Sequence, residues 1–391
     1  MLSSRSVTAL SPGRVNLIGE HVDYAGGLVL PLAINRGTVV TTVPAGRGSG
    51  TVLASRAKGH SLSLPPGDTW SRRTAQAECW ANYPLGTLAL LREAGVALPD
   101  LHLEISGDVP LGGGLSSSAS LMVATAVAAL AAVGVDAEAF GRLQLAKLCQ
   151  RAETEWAGVP CGLMDPAIAA LGRAGHAMLL DCRDGSVEFV PMPVGIEVVV
   201  LDSGVRHRLA DGGYATRRNS VEEAERAVAA AGGGSLRQLA ERDDGVAFLA
   251  RLGLGDATFR RGRHVVAEIA RVRQAVEAMR RDGPGDRERL GTILLDGHAS
   301  LRDDFAVSID ELDAIVDAAG EAGALGARLT GAGFGGCAIA LVATGTAETV
   351  AAGVVDRFAR RFGREPRWFV TGACDGARVM AAGSDSAKAS D

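Results

Sequence analysis

The chain has 391 residues, 47% hydrophobic and 22% charged, a balance able to bury a sizeable core and long enough for two or three domains. Its formal charge is -5, which leaves no basic surplus for a nucleic-acid backbone, and its three lysines are Lys58, Lys147 and Lys388. The longest apolar run, Leu121–Val135, is too short to span a bilayer, and Met1–Gly13 has no apolar stretch typical of a signal peptide. The six cysteines lie at positions 79, 149, 161, 182, 337 and 374 without metal-ligand spacing, a pattern that predicts reduced thiols in a soluble, cytoplasmic protein.

In chain order, Leu28–Leu30, Val39–Val43 and Leu101–Ile105 read as strands, and helical periodicity covers Ala81–Ala94, Ser117–Val133 and Ala137–Ala157. Two strands follow, at Ala177–Leu180 and Glu197–Leu201. A charged helix comes next at Tyr214–Ala230, then a soft glycine-rich patch at Ala231–Ser235. Helices are predicted at Arg263–Arg281, Arg287–Ser300 and Ser308–Gly320. The chain continues as a strand–glycine loop–strand unit at Gly326–Val342, a helix at Ala347–Phe362 and a last strand at Arg367–Val370. Strands and helices mix without strict alternation, which points to α+β rather than a doubly wound sheet.

Three glycine clusters stand out: Gly13–Gly27, Gly112–Gly114 and Gly331–Gly336. Glycine admits close approach of a ligand to backbone amides, so three clusters suggest three loops converging on one ligand. In Pro110–Ser120, glycines and serines run directly into an apolar helix, the physical recipe for holding phosphate. The serines could cap that helix, and one hydroxyl could sit on Mg²⁺. Gly-Lys-Ser/Thr occurs nowhere, so this is not a Walker A loop. Gly331–Gly336 has the spacing of a dinucleotide fingerprint, but a strand follows it where that fingerprint needs a helix. Gly13–Tyr24 crowds Arg14, Glu20, His21 and Asp23 together, either as a solvated polar turn or as hydrogen-bonding groups for a polyhydroxylated ligand. Asp165, in Cys161–Pro166, is either a carboxylate able to take a proton from a substrate hydroxyl or a helix N-cap ahead of Pro166.

Together these segments resemble the galactokinase branch of the GHMP small-molecule kinase superfamily. Gly13–Tyr24 resembles its sugar signature, Pro110–Ser120 its phosphate loop and Gly331–Cys337 its third motif. Trp80–Tyr83, His176–Cys182, Tyr214–Arg218 and Gly297–Leu312 are further matches, so the resemblance spans nearly the whole chain. It implies a two-domain fold, with a ribosomal-protein-S5-domain-2-like N-terminal domain (1–185) and a ferredoxin-like α+β C-terminal domain (186–365). The strand near 366–382 would return to the first domain, and 383–391 would be a disordered tail. ATP and sugar would meet in the cleft.

The resemblance also implies a division of labour. Asp165 would face the sugar's anomeric hydroxyl, with Arg14 stabilising charge on the transferring phosphoryl group. Glu20, His21, Asp23, Gly162 and Tyr214 would bind the sugar. Gly112, Gly113, Gly114, Leu115, Ser116, Ser117 and Ser118 would cradle the ATP phosphates, Trp80 would lie near adenine, and Ser118 and Glu153 would hold Mg²⁺. The implied activity is galactose 1-phosphorylation by a monomer or weak homo-oligomer, without nucleic-acid or membrane partners. Pro166, Ala25 and Val22 depart from the family's usual Gln, Asn and Thr. They leave open a 1-kinase for another sugar, such as arabinose, an N-acetylated hexosamine or an unusual biosynthetic sugar. A non-catalytic sugar sensor is the third reading.

Overall fold

A computed structural model describes residues 6–45, 48–56, 59–67, 70–206 and 213–381. The tail expected to be disordered lies outside these residues. The first sheet has six strands: β1 (Val7–Asn16), β3 (Pro31–Pro44), β4 (Thr51–Ser55), β5 (His60–Leu64), β6 (Leu101–Gly107) and β13 (Arg378–Val379). Their order is β13-β1-β3-β6-β4-β5, antiparallel except between β4 and β6. Strand β3 is much longer than Val39–Val43 suggested, because pairing with both β1 and β6 extends it well beyond its β-branched run. A small sheet joins β2 (Leu28–Val29), β7 (His176–Asp181) and β8 (Val187–Pro191).

The third sheet comprises β9 (Ile196–Asp202), β10 (Gly326–Thr330), β11 (Cys337–Ala343) and β12 (Arg367–Thr371), in the order β10-β11-β9-β12. Read from β12, that is the 4-1-3-2 order of an antiparallel ferredoxin-like sheet, and all three of its pairings are antiparallel. A division at residue 185 would cut the β7–β8 hairpin; the change of sheet comes at Ile196. The segment 366–382 also divides: Arg367–Thr371 joins β9, and only Arg378–Val379 returns to β1.

The helices are α1 (Asn82–Glu93), α2 (Ser117–Ala132), α3 (Ala137–Phe140), α4 (Arg142–Arg151), α5 (Met164–Leu171), α6 (Gly213–Ala230), α7 (Leu236–Leu239), α8 (Gly245–Ala250), α9 (Asp256–Arg281), α10 (Pro284–Asp303), α11 (Asp310–Glu321) and α12 (Ala347–Phe362). The helix read over Ala137–Ala157 is broken at Gly141 and ends in a π-helical turn, Ala152–Ala157. Helix α2 is apolar nearly all round and buried at Ala119, Ser120 and from Met122 to Leu130, as suits a helix inside a core. Among the described residues, no helix is long and apolar enough to cross a membrane.

One apolar cluster contains Val15, Leu17, Ile18, Leu30 and Leu32 from the first half of the chain. It also takes in Val272 and Val276 of α9 and Val198, Val200, Ile339 and Leu341 of the third sheet. The two parts therefore share a core beneath the glycine segments. A buried polar pin adds register: Ser120 of α2 donates to Ser11 O (2.7 Å) and accepts from Thr38 N (3.0 Å), tying the helix to β1 and β3. Ser120→Ala leaves the Thr38 N–H buried without an acceptor. It is expected to cost about 1–3 kcal/mol in denaturant unfolding; an unchanged midpoint would show that the pin carries no stability.

Candidate active site

Register in the β1–β3 pair shifts between Pro12 and Arg14: Pro12 faces Gly37 and Arg14 faces Ala33, so Ile34, Asn35 and Arg36 of β3 bulge opposite Gly13. Bulges interrupt regular pairing, and Arg14, just past this one, is buried. The segment read as a polar turn or hydroxyl-binding set therefore begins as the buried end of a strand. A Cβ on Gly13 would meet Leu115 O at 2.7 Å, and Arg14 N donates to that same carbonyl at 3.1 Å. Arg14 then grips Asp165 with two hydrogen bonds, Nε to Oδ1 and Nη2 to Oδ2, both 2.8 Å. Such forked pairs fix geometry as well as charge. Arg14 Nη1 also donates to Gly114 O. Asp165 is not an N-cap: Leu163 holds that position in α5, and Asp165 sits in the first turn with its carboxylate aimed at Arg14.

Ser116 precedes α2 in a left-handed conformation (φ 58°) and makes no side-chain cap bond. The expected serine cap is absent because the Ser116 hydroxyl donates to Asp165 Oδ2 instead. This leaves the α2 N-terminal amides without a capping side chain, a positively polarised end suited to an anion. The loop before it is held by backbone packed on backbone. A Cβ on Gly331 would meet Gly114 O at 2.7 Å, and one on Gly336 would meet Gly113 O at 2.8 Å. Arg206, which sequence reading passed over, donates from Nε to Leu111 O (3.0 Å) and pairs with buried Asp202 at 2.6 and 2.7 Å. Nothing in the composition of Asp202–Arg206 marks it; only the loop's proximity does.

Glu153 occupies the π-helical turn, a distortion common at functional sites. The Ser118 hydroxyl acts to lower the pKa of the Glu153 carboxylate. Burial outweighs that influence and pushes the pKa above the usual range, and Asp165 pushes it the same way. Among the described residues no cluster of three or more His, Cys, Asp or Glu could form a metal cage. Mg²⁺ does not need one, since it usually takes one or two protein ligands and completes its shell with water and substrate phosphates. Buried Glu153 and the Ser118 hydroxyl fit that requirement.

Asp23 is pressed against Gly162: a Cβ there would lie 1.5 Å from Asp23 Oδ2. Burial, with the Asp165 charge added, raises the Asp23 pKa to about 6. His21, at φ 61°, bonds Tyr24 OH through Nδ1 and Ala332 O through Nε2, both at 3.1 Å. A carbonyl only accepts, so the proton is on Nε2 and Nδ1 accepts from the phenol. Burial holds the ring neutral by lowering its pKa to about 4. The Tyr214 ring lies 5.7 Å from His21 and 5.9 Å from Tyr24. Glu20 is turned inward: its oxygens accept from Asn16 Nδ2 (2.8 Å) and Gly331 N (2.7 Å). Trp80, in a 3-10 turn before α1, has its ring 6.3 Å from that of His60.

Three family models match this chain: the galactokinase galactose-binding signature over residues 3–44, the GHMP kinase N-terminal domain over 82–173 and the GHMP kinase C-terminal domain over 273–360. Galactokinase of Streptomyces coelicolor is 40% identical over 378 residues, covering 95% of this chain and 93% of that protein. The chain belongs to the galactokinase family. The galactokinase of Homo sapiens is 39% identical over 380 residues, with 95% and 91% covered. A solved structure of Lactococcus lactis galactokinase complexed with galactose superposes with a TM-score of 0.86 at 30% identity, covering 96% of this chain and 95% of that one. Methanococcus jannaschii mevalonate kinase, at 18% identity and a TM-score of 0.62, shares the fold.

The Asp23 charge carries a stability consequence. Its folded-state pKa of about 6 lies above the ordinary 3.8, so the folded state binds the proton more tightly and loses stability as pH rises through that window. Asp23→Asn is therefore expected to be more stable than the parent at neutral pH, by on the order of 1–3 kcal/mol. The advantage should vanish near about pH 4. Equal unfolding free energies at neutral pH would refute it.

Proposed function

We propose that this chain transfers the γ-phosphoryl group of ATP to the anomeric hydroxyl of D-galactose, giving ADP and α-D-galactose 1-phosphate. The observation that carries this reading is the Arg14–Asp165 pair. It lies between the phosphate loop, through Gly114 and Ser116, and the Asp23–Gly162 contact. The galactokinase relatives, and a structural neighbour that holds galactose, support it.

Phosphoryl transfer requires alignment and charge neutralisation more than covalent chemistry by the protein. Asp165 accepts the hydrogen bond of the anomeric hydroxyl and takes its proton as the oxygen–phosphorus bond forms and the bond to the ADP bridging oxygen breaks. Arg14, fixed by the forked pair, offers positive charge to the transferring group. The amides of Gly112–Ser118 and the α2 terminus receive the ATP phosphates, and Trp80 is assigned to adenine. Asp23, His21, Glu20, Gly162 and Tyr214 shape the sugar side. Ser118 and Glu153 would hold Mg²⁺, which supplies charge neutralisation between phosphates when bound. In this reading residues 1–185 and 186–365, adjusted for the β7–β8 hairpin, are the two walls of the cleft. The six free thiols suit a cytoplasmic setting.

The three departures from the family pattern bear on which sugar is used. Val22 and Pro166 are buried, and Ala25 packs against the apolar core. In this chain they make apolar contacts where the family's usual residues are polar, so the sugar panel below decides which sugar is used.

Coupled ADP release with Mg-ATP and a panel of monosaccharides tests the reading, with galactose expected to dominate. Asp165→Asn should lower turnover by roughly 10²-fold or more, and near-normal turnover in a folded variant would overturn the assignment. Glu153→Gln should raise the Mg²⁺ concentration for half-maximal rate at least about 10-fold, the scale of even an outer-shell change at a metal site. An unaltered Mg²⁺ titration would remove Glu153 from the metal.

A further inference from the structure

Helix α9 and strand β10 carry buried charges that the mechanism above does not use. Glu268 and Arg328 have fully buried side chains and meet at 2.7 Å, and Glu268 also accepts from Arg271 Nε at 2.8 Å. Burial alone would raise the Glu268 pKa, but Arg328 and Arg271 outweigh it and hold the carboxyl below its usual range. Buried ion pairs are weak sources of net stability compared with apolar residues of the same volume, so stability alone is a poor reason for this cluster.

Its aim is more informative. Glu268 Oε1 accepts the backbone N–H of Gly19 at 2.9 Å. One turn earlier, His264 Nε2 meets Glu20 O at 3.1 Å, while its Nδ1 meets Ser300 Oγ at 2.9 Å. The Glu20 carbonyl can only accept, so Nε2 carries the proton, and Nδ1 faces the Ser300 hydroxyl, which also reaches Asp304 Oδ2 at 3.3 Å. Burial lowers the His264 pKa to about 3, which keeps the ring neutral. One turn later, Val272 lies against Gly19, where a Cβ would approach its Cγ2 to 3.2 Å. His264, Glu268 and Val272 are four residues apart and so form one stripe of α9. The His264 ring also packs on Phe305 (4.7 Å), which in turn packs on His21 (4.5 Å).

We propose that His264, Glu268 and Arg328 are positioning residues that hold the Gly19–Asp23 segment in its sugar-binding geometry: Glu268 fixes the Gly19 amide, Arg328 fixes Glu268, and His264 fixes the Glu20 carbonyl. The inference rests on the galactokinase reading and assigns these residues to the sugar half of that site. The nucleotide half hangs on α2 and the π-helical turn, which this stripe does not touch through the bonds above.

The test is initial-rate kinetics with galactose and Mg-ATP varied separately, for wild type, Glu268→Gln, His264→Leu and His264→Gln. Glu268→Gln weakens the hold on Arg328 and Gly19. His264→Leu removes the donor to Glu20 O, whereas the amide of His264→Gln can restore it. For Glu268→Gln and His264→Leu the galactose KM should rise about 10- to 100-fold, the scale of a misplacement of about 1 Å in a binding group. The ATP KM should stay near wild type, and His264→Gln should recover most of the loss. If Glu268→Gln does not fold, the histidine pair decides. Folded variants in which both KM values move together, or neither moves, would overturn the proposal, as would a glutamine no better than leucine. A wild-type protein that phosphorylates no monosaccharide would instead overturn the galactokinase reading, and this inference with it.

Discussion

The architecture of this site depends on backbone approaching backbone more closely than any side chain allows. Residues 113–115 form the centre of that contact. Gly13 lies against the Leu115 carbonyl, Gly331 against that of Gly114 and Gly336 against that of Gly113, all at distances a Cβ would violate. Three stretches of chain far apart in sequence are thereby fused into one rim. The glycines matter here less for flexibility than for the volume they lack.

Around that rim, charge is buried in matched sets. Arg14 and Asp165 neutralise each other where the phosphate loop meets the sugar segment. Behind them Glu268, Arg328 and Arg271 form a second set, while Glu20 is tied to Asn16 and the Gly331 amide. Both sets are costly to desolvate and tolerable only because each charge has a partner. Glu153, whose pKa burial raises, is one exception and Asp23 another. Asp23 is pressed against Gly162 beside Asp165 with its pKa raised, a destabilised carboxylate of the kind expected where binding rather than stability is selected.

Most helices were legible from periodicity because their apolar faces are regular. Ala347–Phe362, for example, buries Val350, Val354 and Phe358 at four-residue spacing. Elements whose existence depends on partners were harder to read. Strand β1 contains Pro12 and Gly13 and is held as a strand by its pairing with β3, across a bulge, and with β13. The β4–β5 hairpin is short, with five residues in each strand, and only β5 alternates polar and apolar residues. Glu153 reads as an ordinary helical glutamate, since a π-helical turn has no local signature.

The sequence by itself determined the residue types of the site: glycines where the chain must pack on itself, serines before an apolar helix, and an arginine and aspartate with the charges phosphoryl transfer requires. It also determined the family, through motif order along nearly the whole chain. Tertiary structure alone decided which of these groups meet. It gave the Ser116 hydroxyl to Asp165 rather than to the helix cap, turned Glu20 inward and brought Arg206 to Leu111. Hydrogen-bond partners hundreds of residues apart, such as Glu20 and Gly331 or Gly19 and Glu268, have no local correlate. Their pairing is set by how two sheets share one core.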